Sequence, residues 1–144
     1  MPHNKGMVVK YEEDLFAWSQ ETARAISEGR WQDVDLEHVA DEISDVGKTE
    51  QRGLKSQLSR IMLHLLKMRY QPQRHARSWE ASVADARDQV ADALEESPSL
   101  KARLAAMFPK AYRHARYQAV QQTDLPLETF PEVCPFSVED VVGA

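Results

Sequence analysis

Leu54, Leu58, Ile61, Leu65 and Met68 recur at alternating intervals of four and three residues and stop just short of Pro72. Only an α-helix brings side chains at that spacing onto one side, because about 3.6 residues complete each turn. Proline lacks an amide hydrogen and pushes the residue before it out of helical backbone, so Pro72 marks the end of the run. A stripe this apolar hides from water only against other elements, and the remainder of the chain must supply them.

It supplies more of the same kind. Leu15, Trp18, Thr22, Ala25 and Ile26 predict a helix over 11–28 that Gly29 terminates. Asp35 is a suitable N-cap for a second helix, in which Leu36, Val39, Ile43 and Val46 form the expected buried stripe and acids occupy the first turns. Trp79, Val83, Ala86, Val90, Ala93 and Leu94 mark a third, opened by Ser78 and closed at Ser97-Pro98. Leu100, Leu104, Met107, Ala111, Ala115 and Ala119 mark a fourth, continuing to Gln122 with an expected kink at Pro109. Beyond it Pro126, Pro131 and Pro135 alternate with Leu127, Phe130, Val133 and Phe136, the pattern of an extended strap. Ser137 and Asp140 have capping-box spacing, which predicts a last helical turn. The expected fold is all-α: an antiparallel bundle of four main helices in a single domain over 11–142, with a proline-rich C-terminal strap. Residues 1–10 show no period and are expected to be flexible.

No apolar run reaches the roughly 18 to 20 residues that span a bilayer, and the lone Cys134 has no partner for an intramolecular disulfide. A cytoplasmic location without membrane attachment is the expectation. The net charge of −5 conceals a block pattern. Residues 11–50 hold twelve acids against Arg24, Arg30 and Lys48, whereas residues 51–77 hold seven bases and no acid. Residues 78–97 then carry six acids against Arg87, and residues 98–118 five bases and no acid. Such blocks either pair across neighbouring helices or serve a charged partner.

Glu50 occupies the position where the apolar stripe should continue between Val46 and Leu54, bracketed by Gly47 and Gly53. A carboxylate facing a core needs a cation or donor, unless the helix breaks near Gly47 and turns it outward. Glu42, Glu50, His64 and Arg77 form the candidate polar cluster. On a continuous helix Glu50 and His64 stand roughly 21 Å apart, so any partner of Glu50 must come from another element. Arg52, Lys67, Arg69 and Arg74, interleaved with Tyr70 and His75 and followed by Trp79, are the candidate anion-binding residues. His38 and Glu42 share a helix face, and with His64, His75 and His114 they raise a metal-site alternative, but no metal-binding motif or spacing is present. No cofactor is expected. Cys134 lies between Val133 and Pro135 with no histidine nearby, and no nucleophile elbow or phosphate loop occurs.

Asp41-Glu42-Ile43 leading to Gly47, His64-Leu65-Leu66-Lys67, Tyr70-Gln71-Pro72, Arg77-Ser78-Trp79, Phe130-Pro131-Glu132 and Cys134-Pro135 stand in an order that resembles the bacterial domain of unknown function 29 family. The resemblance implies that Tyr11, Glu42, Gly47, His64, Tyr70, Arg77 and Trp79 are typical positions, and it carries no catalytic role. Three functional readings follow. The first is a binding or interaction module for a protein partner or a second copy. The second is a nucleic-acid- or phosphate-binding protein using residues 52–77, and the third a metal-dependent enzyme built around Glu42, Glu50 and His64.

Overall fold

Asp14 adopts extended backbone and accepts a hydrogen bond from the Ala17 amide, which satisfies one of the free donors of a helix start and opens α1, Leu15–Ser27. The helix thus begins four residues later than the spacing predicted, because a turn over Lys10–Asp14 precedes the cap. These features come from a computed structural model that describes residues 9–143; the expected flexible segment 1–10 therefore falls mostly outside the described residues. Gly29, at φ +73°, takes the left-handed conformation that ends α1.

Asp35 caps the next helix as predicted, its Oδ1 accepting from the His38 amide at 3.2 Å. That helix, α2, runs Leu36–Tyr70 without interruption through Gly47 and Gly53. The third helix, α3, is Arg77–Glu96, the fourth, α4, is Leu104–Thr123, and the short α5 is Val138–Val142. Single 3₁₀ turns occupy Trp31–Asp33, Pro72–Arg74 and Leu127–Thr129, and a six-residue 3₁₀ helix occupies Pro98–Arg103. No strand occurs among the described residues, and the fold is an all-α bundle. Ser78 is not the cap of α3: Ala76 is, and Ser78 lies in the first turn, where the Trp79 amide donates to the Ala76 carbonyl. The helix passes through Pro109, which sits early in α4.

The chain forms two compact units, one ending at Lys48 and one starting at Thr49, with α2 contributing to both. The second unit holds the main core. Leu58, Ile61, Met62 and Leu66 of α2 are fully buried with Ala86 and Val90 of α3 and Ala111, Ala115 and Ala119 of α4. Each large apolar side chain so buried contributes roughly 1.5–3 kcal/mol. Two contacts fix the relative direction of α2 and α3: Arg60 reaches Asp85 at 2.8 Å, and Lys67 lies over Trp79. The later α2 residue meets the earlier α3 residue, so the two are antiparallel.

The predicted strap is present. Phe130 and Phe136 are buried, Tyr112 donates to the Pro131 carbonyl at 2.5 Å, and Arg116 donates to the carbonyls of Phe130 and Leu127. The Ser137–Asp140 capping box forms α5, whose Val141 is buried and whose last carbonyls accept from Arg87.

The first unit differs from expectation. Trp18, Thr22 and Ala25 of α1 are buried with Asp33, yet Leu36, Ile43 and Val46 of α2 are exposed at 63%, 67% and 66%. Leu15, Phe16 and Trp31 are exposed as well. Spacing predicted this stripe as buried, because spacing reports which side of a helix is apolar and not whether another element arrives to cover it.

Candidate functional site

In the first unit an aromatic cluster forms around His38. Tyr11 stacks on the imidazole with centroids 4.0 Å apart, and Trp18 meets the Tyr11 ring edge-on at 5.0 Å. The Tyr11 hydroxyl donates to Glu42 Oε2. This hydrogen bond, with burial and the nearby carboxylates of Glu42, Asp45 and Asp41, pushes the phenol up to about 12. His38 Nδ1 lies 2.5 Å from Asp35 and Nε2 lies 3.5 Å from Glu12. The Asp35 bond raises the imidazole above its usual value, against a smaller opposing effect of burial. His38 and Glu42, the pair that raised the metal alternative, are thus engaged by Asp35 and Tyr11. Among the described residues no three His, Cys, Asp or Glu side chains gather as a metal site.

A cavity of about 570 Å³ opens beside this cluster, lined by Tyr11, Trp18, Gln32 and the carboxylates of Glu12, Asp33 and Asp35. Asp33 is buried. Its Oδ2 accepts from Arg30 at 2.7 Å, and its Oδ1 has no partner among the described residues.

Glu50 lies in the second unit and is half-buried in a shallow groove with Gln57, Gln89, Asp92 and Glu96. No hydrogen bond or ion pair reaches it among the described residues. Both alternatives drawn from the sequence fail for one reason: the helix does not break at Gly47, and the core stripe of α2 begins only at Leu54, so position 50 was never a core position.

His64 and Lys67 sit one helical turn apart on α2. His64 is half-buried, and its Nδ1 has no partner among the described residues. Burial lowers its pKa, and the charges of Lys67 and Arg60 lower it further. Lys67 is only 8% exposed, and burial alone lowers its pKa. Its ammonium lies 5.4 Å from the centre of the Trp79 ring, and no carboxylate pairs with it among the described residues. Trp79 also faces His75 at 6.2 Å, and His75 Nε2 reaches Glu80 at 2.9 Å.

The remaining predicted residues are dispersed. Arg77, Arg74 and Arg52 are exposed, and Arg52 donates to the Thr49 hydroxyl. Arg69 lies over the Phe136 ring at 4.9 Å. No hydrogen bond or ion pair joins any two of Glu42, Glu50, His64 and Arg77 among the described residues. The block charges pair sparingly too: Arg60–Asp85 is the ion pair that joins two helices among the described residues. Sequence reasoning missed the Tyr11–Glu42 bond and the Lys67–Trp79 contact, both of which join separate elements. Cys134 is half-buried with a thiol pushed up by burial, which disfavours the reactive thiolate.

Compared with known proteins, residues 10–144 match the family described as Domain of unknown function DUF29. No curated protein and no solved structure matches the chain.

Proposed function

The chain belongs to the DUF29 family, a domain of unknown function, and from that premise we propose that it is a helical interaction module whose first unit docks an amphipathic helix of a protein partner. One observation carries the reading: Leu36, Ile43 and Val46 stand exposed, and with Val39 they keep the three-four-three spacing of a coiled-coil seam. Leu15 and Phe16 of α1 add to the exposed apolar surface. A unit of this size, with Trp18 and Ala25 its buried apolar side chains among the described residues, lies near the lower limit of about 40 residues at which oligomerisation, a metal or a disulfide usually completes a core. Residues 11–50 hold twelve acids against three bases, so the unit attracts a basic partner. A second copy would bring the same acids and is disfavoured by their repulsion. Among the described residues no helix is long and apolar enough to cross a membrane, so the seam is not part of a spanning segment.

The test pairs wild-type protein with Ile43→Glu/Val46→Glu in a retention experiment from the native cell extract, with Lys101→Glu as a surface control. The expected result is a defined basic protein retained by the wild type and the control and lost by the double variant. Equal retention by all three overturns the reading, and self-association abolished by the double variant makes the occupant a second copy.

A further inference from the structure

Asp33 is a buried carboxylate of the first unit, 8% exposed at the end of the 3₁₀ turn Trp31–Asp33. Its Oδ2 accepts from Arg30 at 2.7 Å, but its Oδ1 is closed off from solvent and meets no donor among the described residues. A carboxylate oxygen buried in this way is costly, because it has given up hydrogen bonds to water and gained none in return. The Nε of Arg30 cannot make up the deficit, since it is engaged by Glu28. What Oδ1 lacks is a donor, and a positively charged donor suits it best.

Asp33 is also part of the wall of the 570 Å³ cavity. That volume falls within the range of roughly 300–1,000 Å³ typical of small-molecule sites. The other walls are of two kinds. Trp18 and Tyr11 supply aromatic surface, and both rings are held in place: Trp18 is buried and meets Tyr11 edge-on, while Tyr11 is tied to His38 and Glu42. Glu12 and Asp35 supply two further carboxylates, against Lys10 as the base among the lining residues. His38 reaches Asp35 at 2.5 Å and Glu12 at 3.5 Å, so Glu12 keeps most of its capacity to accept. Three acids and one base around aromatic surface favour a cation with an apolar body. Among the described residues no three metal-ligating side chains converge, which suits an organic cation better than a metal ion.

We infer that this cavity binds a small aliphatic cation whose head carries N–H donors, an amine or a guanidine, with Asp33 and Glu12 accepting from the head and Trp18 and Tyr11 flanking the carbon chain. The site lies wholly within the first unit. None of Leu36, Ile43 and Val46 lines the cavity, so it stands or falls apart from the docking face.

The experiment follows the Trp18 indole resonance of isotopically labelled full-length protein at fixed ionic strength. The probes are agmatine, which carries an ammonium and a guanidinium on one aliphatic chain, and tetramethylammonium, a cation without N–H groups. Agmatine should shift the resonance saturably, and tetramethylammonium should bind about tenfold more weakly or worse, because it offers Asp33 no hydrogen bond. Asp33→Asn should weaken agmatine binding by about tenfold or more, and Glu12→Gln by about threefold. Glu13→Gln removes the same charge from a neighbour that does not line the cavity and should leave binding unchanged. Absence of a saturable shift with agmatine overturns the inference, as does equal binding of the two cations or equal weakening by Glu12→Gln and Glu13→Gln. A folded Asp33→Asn that binds like the wild type overturns it as well. If Asp33→Asn alters folding through the lost Arg30 bond, the comparison of the two cations on wild-type protein and the Glu12–Glu13 pair still decide.

Discussion

The Tyr11 hydroxyl donates to the Glu42 carboxylate across 31 residues of sequence, tying the segment before α1 to the second turn of α2. Because the carboxylate accepts the phenolic proton, ionising Tyr11 would break the bond and set two negative charges side by side. That is why the phenol is held near 12. Tyr112 is also pushed up to about 12, chiefly by burial. Ultraviolet titration should therefore show Tyr11 and Tyr112 ionising late. Glu42→Gln should return one of them toward the ordinary value near 10, and Tyr11→Phe should remove that one. A titration unchanged by either substitution would contradict the bond.

The two stripes of α2 look alike in sequence and should respond oppositely to substitution. Ile61 is fully buried and Ile43 is 67% exposed. Ile61→Ala should lower stability by about 2–5 kcal/mol through lost burial and the cavity left behind. Ile43→Ser should stay within about 0.5 kcal/mol, measured by urea denaturation of the isolated protein. A large loss at Ile43 would show that its face is already covered.

His38 and His64, both partly buried, should shift stability in opposite directions with pH. His38 is raised, chiefly by Asp35, so its contribution is complete below the unfolded value of about 6.5 and is lost as pH rises through its folded value. His64 is lowered by burial first and then by Lys67 and Arg60. Its contribution is complete above about 6.5 and is lost as pH falls from there through the folded value. Histidine resonances followed by nuclear magnetic resonance should give two curves displaced to either side of the free value, and Asp35→Asn should move that of His38 downward alone.

What the sequence disclosed follows from what is local. The Asp35 cap, the stop before Pro72, the Ser97-Pro98 break and the Ser137–Asp140 box each depend on a few neighbouring residues, and each is present. The exposure of Leu36, Ile43 and Val46 depends on what lies across from them, and nothing in their spacing encodes it. Glu50 was misread for the same reason: an apolar stripe was extended through a stretch where no core exists. In the candidate site, Lys67 and Trp79 were both visible as residue types, but their meeting rests on antiparallel pairing of α2 and α3, with no signature in either segment alone.

Gly143 ends α5 at φ +77°, and a Cβ placed there would lie 2.9 Å from Cδ and Nε of Arg87. That guanidinium in turn donates to the carbonyls of Val141 and Asp140. Gly143→Ala therefore meets both a backbone penalty of about 1–2 kcal/mol and displacement of the Arg87 clamp. Thermal denaturation should show a loss of at least that size, accompanied by faster amide exchange at Val141. A neutral substitution would mean that α5 is not held by Arg87.

Lys67 should be a residue that the protein would be more stable without. Its ammonium is partly desolvated, its pKa is lowered for that reason alone, and the Trp79 face is its partner in place of a carboxylate. Methionine has nearly the same length and keeps the packing against Trp79 without the charge. Lys67→Met should therefore raise stability by about 1 kcal/mol near neutral pH. Because the folded pKa lies below the unfolded one, the unfolded chain binds the proton more tightly, so the wild type should recover that difference as pH rises toward the ordinary lysine value. Urea denaturation at neutral and at high pH reads both parts. A gain that shrinks with rising pH is the signature of a buried cation kept at a cost, whereas a loss of stability at both pH values would show Lys67 to be a structural partner of Trp79.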